Sequence, residues 1–222
     1  MMQVNILYQR VQVRCGGYKK YHMVKLSKFR GRVAELIMLI REDWAVTGRD
    51  WTLPGFQALA VHRFGFWVTE RKGGTGRSIL LWIYQAMYRH IRNHYGIEIP
   101  VSAIIGRRLM LVHQHGIVFH WKCEVGDDCV IRHNVTLGAG HPGRSIHDGP
   151  KIGNKVEIGV GAVIFSGVTI GDGVTIGPNA VVMSNVPIGA KVFVDSPRVL
   201  RGMIGMQGAT KGKAGLDQKP EV

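Results

Sequence analysis

Branched aliphatic residues recur every six positions near the C-terminal end of the chain: Ile152, Ile158, Ile164, Ile170, Ile176, Val182, Ile188 and Val194. Glycine follows most of them. A second small or branched residue sits four positions on, at Val156, Ala162, Val168, Val174, Ala180, Val186 and Val192. An α-helix needs an apolar period near 3.6 and a half-buried strand a period of 2. Period six, with a turn residue after each apolar one, predicts a parallel β-helix in which each hexapeptide makes one wall of a triangular prism. The first position of each unit points into the prism, the fifth fills beside it, and Gly, Asn and Asp take the corners. Eighteen residues then complete one coil, and coils stack about 4.8 Å apart.

The phase extends toward the N-terminus. Ile99, Ile105 and Leu111 give one turn, and Val125, Ile131 and Leu137 give another after two extra residues. Between Leu137 and Ile152 the chain has nine residues more than a repeat needs. A loop, residues 138–150 (GAGHPGRSIHDGP), therefore leaves the wall, and function tends to sit on loops held by a rigid scaffold.

Upstream, the period changes to that of helices. Residues 30–44 place Val33, Leu36, Ile37, Ile40 and Trp44 on one face. Pro54 suits the first turn of a second helix through about residue 70, with Phe56, Leu59, Phe64 and Trp67 inward. Residues 78–95 form a third, with Ile79, Ile83, Met87 and Ile91 inward and Gly96 placed to stop it. The link RKGGTGR lacks the closing Gly-Lys-Ser/Thr of a phosphate loop. The expected organisation is a disordered extension over 1–22, a helical region over 23–96, the β-helix over 97–200 and a disordered Gly/Lys-rich tail over 201–222.

These repeats resemble the hexapeptide-repeat acyltransferases. The stretch IREDWAVTGRD followed by PGFQALAVHRFGFW resembles the segment leading into the β-helix of serine acetyltransferases. Together the resemblance covers about residues 40–199. The helical part is shorter than in those enzymes and is similar to that of the polysaccharide-locus branch, such as the colanic acid biosynthesis acetyltransferases. The implied fold is an all-β, left-handed parallel β-helix with a short N-terminal α-helical cap. The left hand rests on the resemblance, because the general rule for parallel crossovers gives the right hand. The resemblance further implies an acetyl-CoA-dependent O-acetyltransferase, without a metal, working as a homotrimer.

Moving an acetyl group from a thioester to a hydroxyl needs a base for the hydroxyl proton, donors for the oxyanion and a slot for the coenzyme. IGRRLMLVHQHGIV resembles the serine acetyltransferase stretch that carries the catalytic histidine, which implies His113 as the base. Glu98, fifteen residues earlier, falls where that family has its dyad aspartate, and fifteen residues is close to one coil. NVTLGAGHP instead resembles the maltose and galactoside acetyltransferases, which implies His141. Both remain candidates. For the coenzyme the resemblance points to the groove between neighbouring prisms, near Gly138, Ala139 and Gly140, then Val160 and Pro178, with Lys191 or Arg198 at the phosphates. Two departures bear on the acceptor. Val112 stands where serine acetyltransferases have an aspartate that helps hold the amino acid, and His147-Asp148-Gly149-Pro150 replaces their Arg-His-Pro. A sugar hydroxyl is therefore the expected acceptor, with serine O-acetylation or a non-catalytic scaffold as alternatives. A zinc site of the γ-carbonic anhydrase kind needs three wall histidines, whereas His141 and His147 fall in the loop.

Charge and cysteine content add less. The chain carries 29 Lys/Arg against 15 Asp/Glu, a formal +14, of which residues 1–100 hold +10. That field suits anionic saccharides, phosphorylated ligands or peripheral association with an anionic surface. No nucleic-acid motif accompanies it. Three cysteines at unpatterned spacing, no signal peptide and no apolar run long enough to span a bilayer give a cytoplasmic expectation.

Overall fold

The computed structural model describes residues 8–15, 18–25, 33–71, 73–140 and 148–195. Two strands, β1 (Tyr8–Cys15) and β2 (Tyr18–Lys25), pair antiparallel within and just beyond the stretch expected to be a disordered extension; Val11, Val13 and Cys15 alternate with Gln12 and Arg14 at the period of a strand. Three helices follow: α1 (Val33–Val46), α2 (Pro54–Thr69) and α3 (Thr75–Tyr95). The rest is a three-walled parallel β-helix, as the six-residue period predicts. The expected tail over 201–222 lies outside the described residues.

The first wall stacks β4 (Ile104–Ile105), β7 (Glu124–Val125), β10 (Lys151–Ile152) and β13 (Thr169–Ile170). The second stacks β5 (Met110–Val112), β8 (Val130–Arg132), β11 (Glu157–Ile158), β14 (Thr175–Ile176) and β16 (Lys191–Val192). The third stacks β3 (Ile97–Glu98), β6 (Ile117–Phe119), β9 (Thr136–Gly138), β12 (Val163–Phe165) and β15 (Val181–Val182). The core is one column of inward side chains, from Ile97 and Ile99 through Ile131 and Leu137 to Ile176 and Val182. Each is too short to bury its apolar face alone, so the layers stabilise one another.

Strand register locates every departure from eighteen. Leu111 pairs with Ile131 and Ile97 with Ile117, so the two extra residues sit in the corner between β5 and β6, at His113–Gly116. Val125 pairs with Ile152, and the nine extra residues leave between β9 and β10, as expected. At the far end Ile170 bridges Val186 and Ile176 pairs with Val192, so the last coil is two residues short. The Asn185 side-chain oxygen accepts the Thr169 N–H at 2.8 Å across that shortened corner. Val186 and Val192 thus take the wall positions expected for Ile188 and Val194, which are instead exposed.

The helical faces also differ from expectation. Phe56 and Leu59 of α2 are buried as expected, but Phe64 and Trp67 are only half-buried. In α1, Val33 and Ile37 of the predicted inward stripe are exposed, and Asp43 is the buried residue. In α3, only Ile91 of the predicted stripe is buried. That helix carries two apolar stripes, and it turns Tyr84, Tyr88, Ile91 and Tyr95 inward, at spacings of four, three and four, while Ile79, Ile83 and Met87 face out. Gly96 ends α3 in the left-handed region at φ +59°, as its position predicts.

Polar groups dock the helices on the prism. The buried Arg63 guanidinium donates from Nε to Asp43 Oδ2 at 2.9 Å, from Nη1 to the Ile105 carbonyl at 2.7 Å, and from Nη2 to the Gly106 carbonyl. His62 sets Nε2 at 3.2 Å from the Ala103 carbonyl. At Gly55 a Cβ would lie 2.5 Å from the Leu111 carbonyl oxygen, so α2 lies directly against β5. The helices therefore hold the strand that leads into the widened corner.

Candidate active site

The three prism edges differ in chemistry. Where the first wall meets the second, side-chain oxygens cap the backbone from layer to layer. Asp127 accepts from the Arg107 N–H at 2.7 Å, Asn154 from Asp127 at 2.9 Å, and Asp172 from Asn154 at 2.8 Å. Ion pairs close this edge further: Arg107 with Glu42, and Arg108 Nε with Asp128 at 2.5 Å. The hydrogen bonds from Arg107 and Arg108 hold the Glu42 and Asp128 carboxyls below their ordinary range. The polar side chains named on this edge are engaged with one another and with the backbone.

The edge between the second and third walls is different. Its successive layers present His113–Gly116, then His133 and Asn134, then Val160 and Gly161, then Pro178 and Asn179. Backbone bonds lock them together. The His115 N–H donates to Tyr95, Asn134 to His115, Gly161 to His133, and Asn179 to Val160, at 2.8–3.1 Å. His113 (φ +66°) and His115 (φ +73°) both adopt left-handed backbone, as Asn134 (φ +57°) and Asn179 (φ +56°) do at the regular corners of the same edge. The His113 side chain is exposed. Its ring lies edge-on to His133, with centroids 5.3 Å apart and planes at 78°. His133 Nδ1 is buried and finds no hydrogen-bond partner among the described residues.

Glu98 sits one layer below, two residues into the third wall and in register with Val118. Its charge lies near Tyr88, where it adds to burial in raising that phenol. Val112 pairs in register with Arg132, so a cation stands one layer above the position where an aspartate was expected. Val160 and Pro178 share the histidine edge, and Lys191 is exposed on the second wall in the last coil. Gly138, Ala139 and Gly140 occupy the opposite edge of the third wall, where the loop departs. His141, His147 and Arg198 lie outside the described residues.

The two cysteines whose side chains are described point inward. Cys123 and Cys129 are fully buried in the prism. Burial pushes both thiols up, Cys129 to about 11, so neither is a thiolate near neutral pH. His133 is the site feature that reading the sequence missed. It follows His113 by twenty residues, the length of the widened coil, and that spacing was the signal available.

A family described as bacterial transferase hexapeptide (six repeats) matches residues 149–184. The chain is 38% identical over 112 residues to a serine acetyltransferase of Mycobacterium tuberculosis, a match covering 50% of this chain and 45% of that protein. It is 34% identical over 142 residues to a Helicobacter pylori serine acetyltransferase, covering 64% and 77%. It is 39% identical over 117 residues to the putative colanic acid biosynthesis acetyltransferase WcaB of Escherichia coli, covering 52% and 71%. The match thus spans less than half the length of the M. tuberculosis relative. Among solved structures, the serine acetyltransferase of Brucella abortus in complex with coenzyme A superposes with a TM-score of 0.60 at 27% identity, covering 73% of this chain and 67% of that one.

Proposed function

The chain belongs to the bacterial hexapeptide-repeat transferases, and from that premise we propose that it is an acetyl-CoA-dependent O-acetyltransferase acting on a sugar hydroxyl, with His113 as general base. One observation carries the reading. An exposed histidine stands on a corner widened by two residues, at one end of an edge that continues through Val160 and Pro178 toward Lys191. With layers about 4.8 Å apart, that edge offers a base at one end and a cation roughly 19 Å away, which suits a long ligand with phosphates at one end and a thioester at the other.

The chemistry follows from the groups present. Acetyl-CoA supplies the acyl thioester when bound. His113 takes the proton of the acceptor hydroxyl as its oxygen attacks the thioester carbonyl, and returns it to the departing sulfur. Backbone groups near Gly138–Gly140 line the coenzyme slot in this reading. Those glycines lie on the other edge of the third wall, so a neighbouring copy completes the slot in a homotrimer. His141 is the rival base in the departing loop.

For the acceptor, Val112 supports a neutral or anionic group. An ammonium there would meet the valine in place of a carboxylate, and Arg132 in the next layer repels it. The basic balance of the first hundred residues suits an anionic glycan. The serine reading keeps support from the relatives named serine acetyltransferase.

Two assays test the proposal. His113→Ala is expected to lower turnover by roughly 10²–10⁴ with unchanged acetyl-CoA affinity. Glu98→Gln should lose less. A large loss at His141→Ala with an active His113→Ala moves the base to the loop. Turnover with L-serine against a panel of glycans decides the acceptor: a serine kcat/KM of about 10⁴ M⁻¹s⁻¹ or above, in the ordinary enzyme range, overturns the sugar reading.

A further inference from the structure

Resting on the reading of His113 as the base, we infer that His133 is a positioning residue that holds the His113 imidazole in one orientation. His113 is exposed on a corner lengthened by two residues, and an exposed side chain must be ordered before it can work as a base. Its ring neighbour is His133, edge-on at 5.3 Å. The backbone of His133 is held on the rigid edge. Its carbonyl accepts the Gly161 N–H at 3.1 Å, and the adjacent Asn134 N–H donates to His115 at 3.0 Å. The support thus stands on a layer of regular length while the supported residue stands on the irregular one, an arrangement that fixes a reacting group.

Glu98 is less suited to this task. It lies in the wall rather than on the corner, and its charge is felt at Tyr88. The buried Nδ1 of His133 finds no partner among the described residues, so the contact of that side of the ring is the His113 imidazole rather than a hydrogen bond. A flat ring against His113 is what the site uses. An aromatic ring offers an edge-to-face partner of defined geometry, and phenylalanine shares that property where alanine and glutamine do not.

The test compares His133→Ala, His133→Gln, His133→Phe and His113→Ala in the full chain. His133→Ala is expected to lower kcat by about tenfold with unchanged KM for acetyl-CoA and unchanged thermal midpoint, as a small loss of alignment does. His133→Phe is expected to restore most of kcat, and His133→Gln is not. A second readout is independent of activity. The His113 ring carbon–proton NMR resonance, assigned by its loss in His113→Ala, should move in His133→Ala as the neighbouring ring current disappears. An inactive His113→Ala beside a fully active His133→Ala with an unmoved resonance overturns the positioning role and leaves the base in place. Rescue by glutamine but not phenylalanine also overturns it. An active His113→Ala removes the base, and the inference falls with it.

Discussion

His62 stands where α2 meets the prism, with Nε2 donating to the Ala103 carbonyl at 3.2 Å and Nδ1 buried without a partner among the described residues. Taking up a second proton would bury a charge and an unpaired donor together, and burial pushes its pKa from the ordinary 6.5 down to about 3. The unfolded chain binds that proton near pH 6.5 and the folded one near pH 3. The contribution of His62 is therefore complete above pH 6.5 and is lost as pH falls toward 3, at up to about 1.4 kcal/mol per pH unit. His62→Gln keeps an N–H for Ala103 and removes the titration. Urea unfolding between pH 6.5 and 4 should show a shallower loss of stability in the variant. Equal slopes would mean that His62 is not buried neutral.

At the scale of elements, the junction between cap and prism depends on Arg63 and Asp43. Burial pushes the Asp43 carboxyl up while Arg63 opposes it, so the pair is stable only as a pair. Arg63→Met leaves Asp43 buried without its cation and the Ile105 and Gly106 carbonyls without a donor. The expected loss is about 3–5 kcal/mol by denaturant unfolding. Asp43→Asn in the same background should recover part of it by removing the stranded charge. Much of this architecture is legible in the sequence, because the coil phase follows from position-one residues that must be buried. The 138–150 excursion and the two-residue insertion were visible as breaks in that phase. The final coil was not, since Val186/Val192 and Ile188/Val194 offer two apolar phases of six-residue spacing, and the Asn185 cap spans the shortened corner of the phase the chain adopts. On α3 a similar ambiguity arises from two apolar stripes, and the stripe that goes inward includes Tyr84, whose ring fills space against α2. Tyr84 lies where a side chain at Gly65 would be. In the site, the pairing of His113 with His133 needed the corner of the insertion to be known, since without it a twenty-residue separation stacks nothing.

For the whole molecule the outward faces of the walls argue for assembly. The first wall shows Ile104, Glu124, Lys151 and Thr169 outward, with Lys151 and Glu124 paired at 2.9 Å. The second shows Met110, Val130, Glu157, Thr175 and Lys191. The third shows Glu98, Val118, Thr136, Val163 and Val181, with Val118 38% and Val181 56% exposed in the single chain. A column of three valines and one threonine with one carboxylate at its end is the wall that gains most from a partner, because its burial strands no charge along most of its length. This wall also lies between the histidine edge and the loop edge. In the proposed homotrimer, a copy packed against this wall would set one chain's His113 edge beside another chain's Gly138–Gly140, which a lone prism does not do. Val118→Glu combined with Val181→Glu should therefore give monomers in analytical ultracentrifugation, with the far-UV spectrum of the β-helix retained. Acetyl transfer should fall by at least the roughly hundredfold that loss of a general base gives, since each monomer keeps its histidine but loses the neighbour's side of the slot. A monomeric double variant with full turnover would show that one prism holds the whole site. A trimeric, fully active variant would move the interface to another wall.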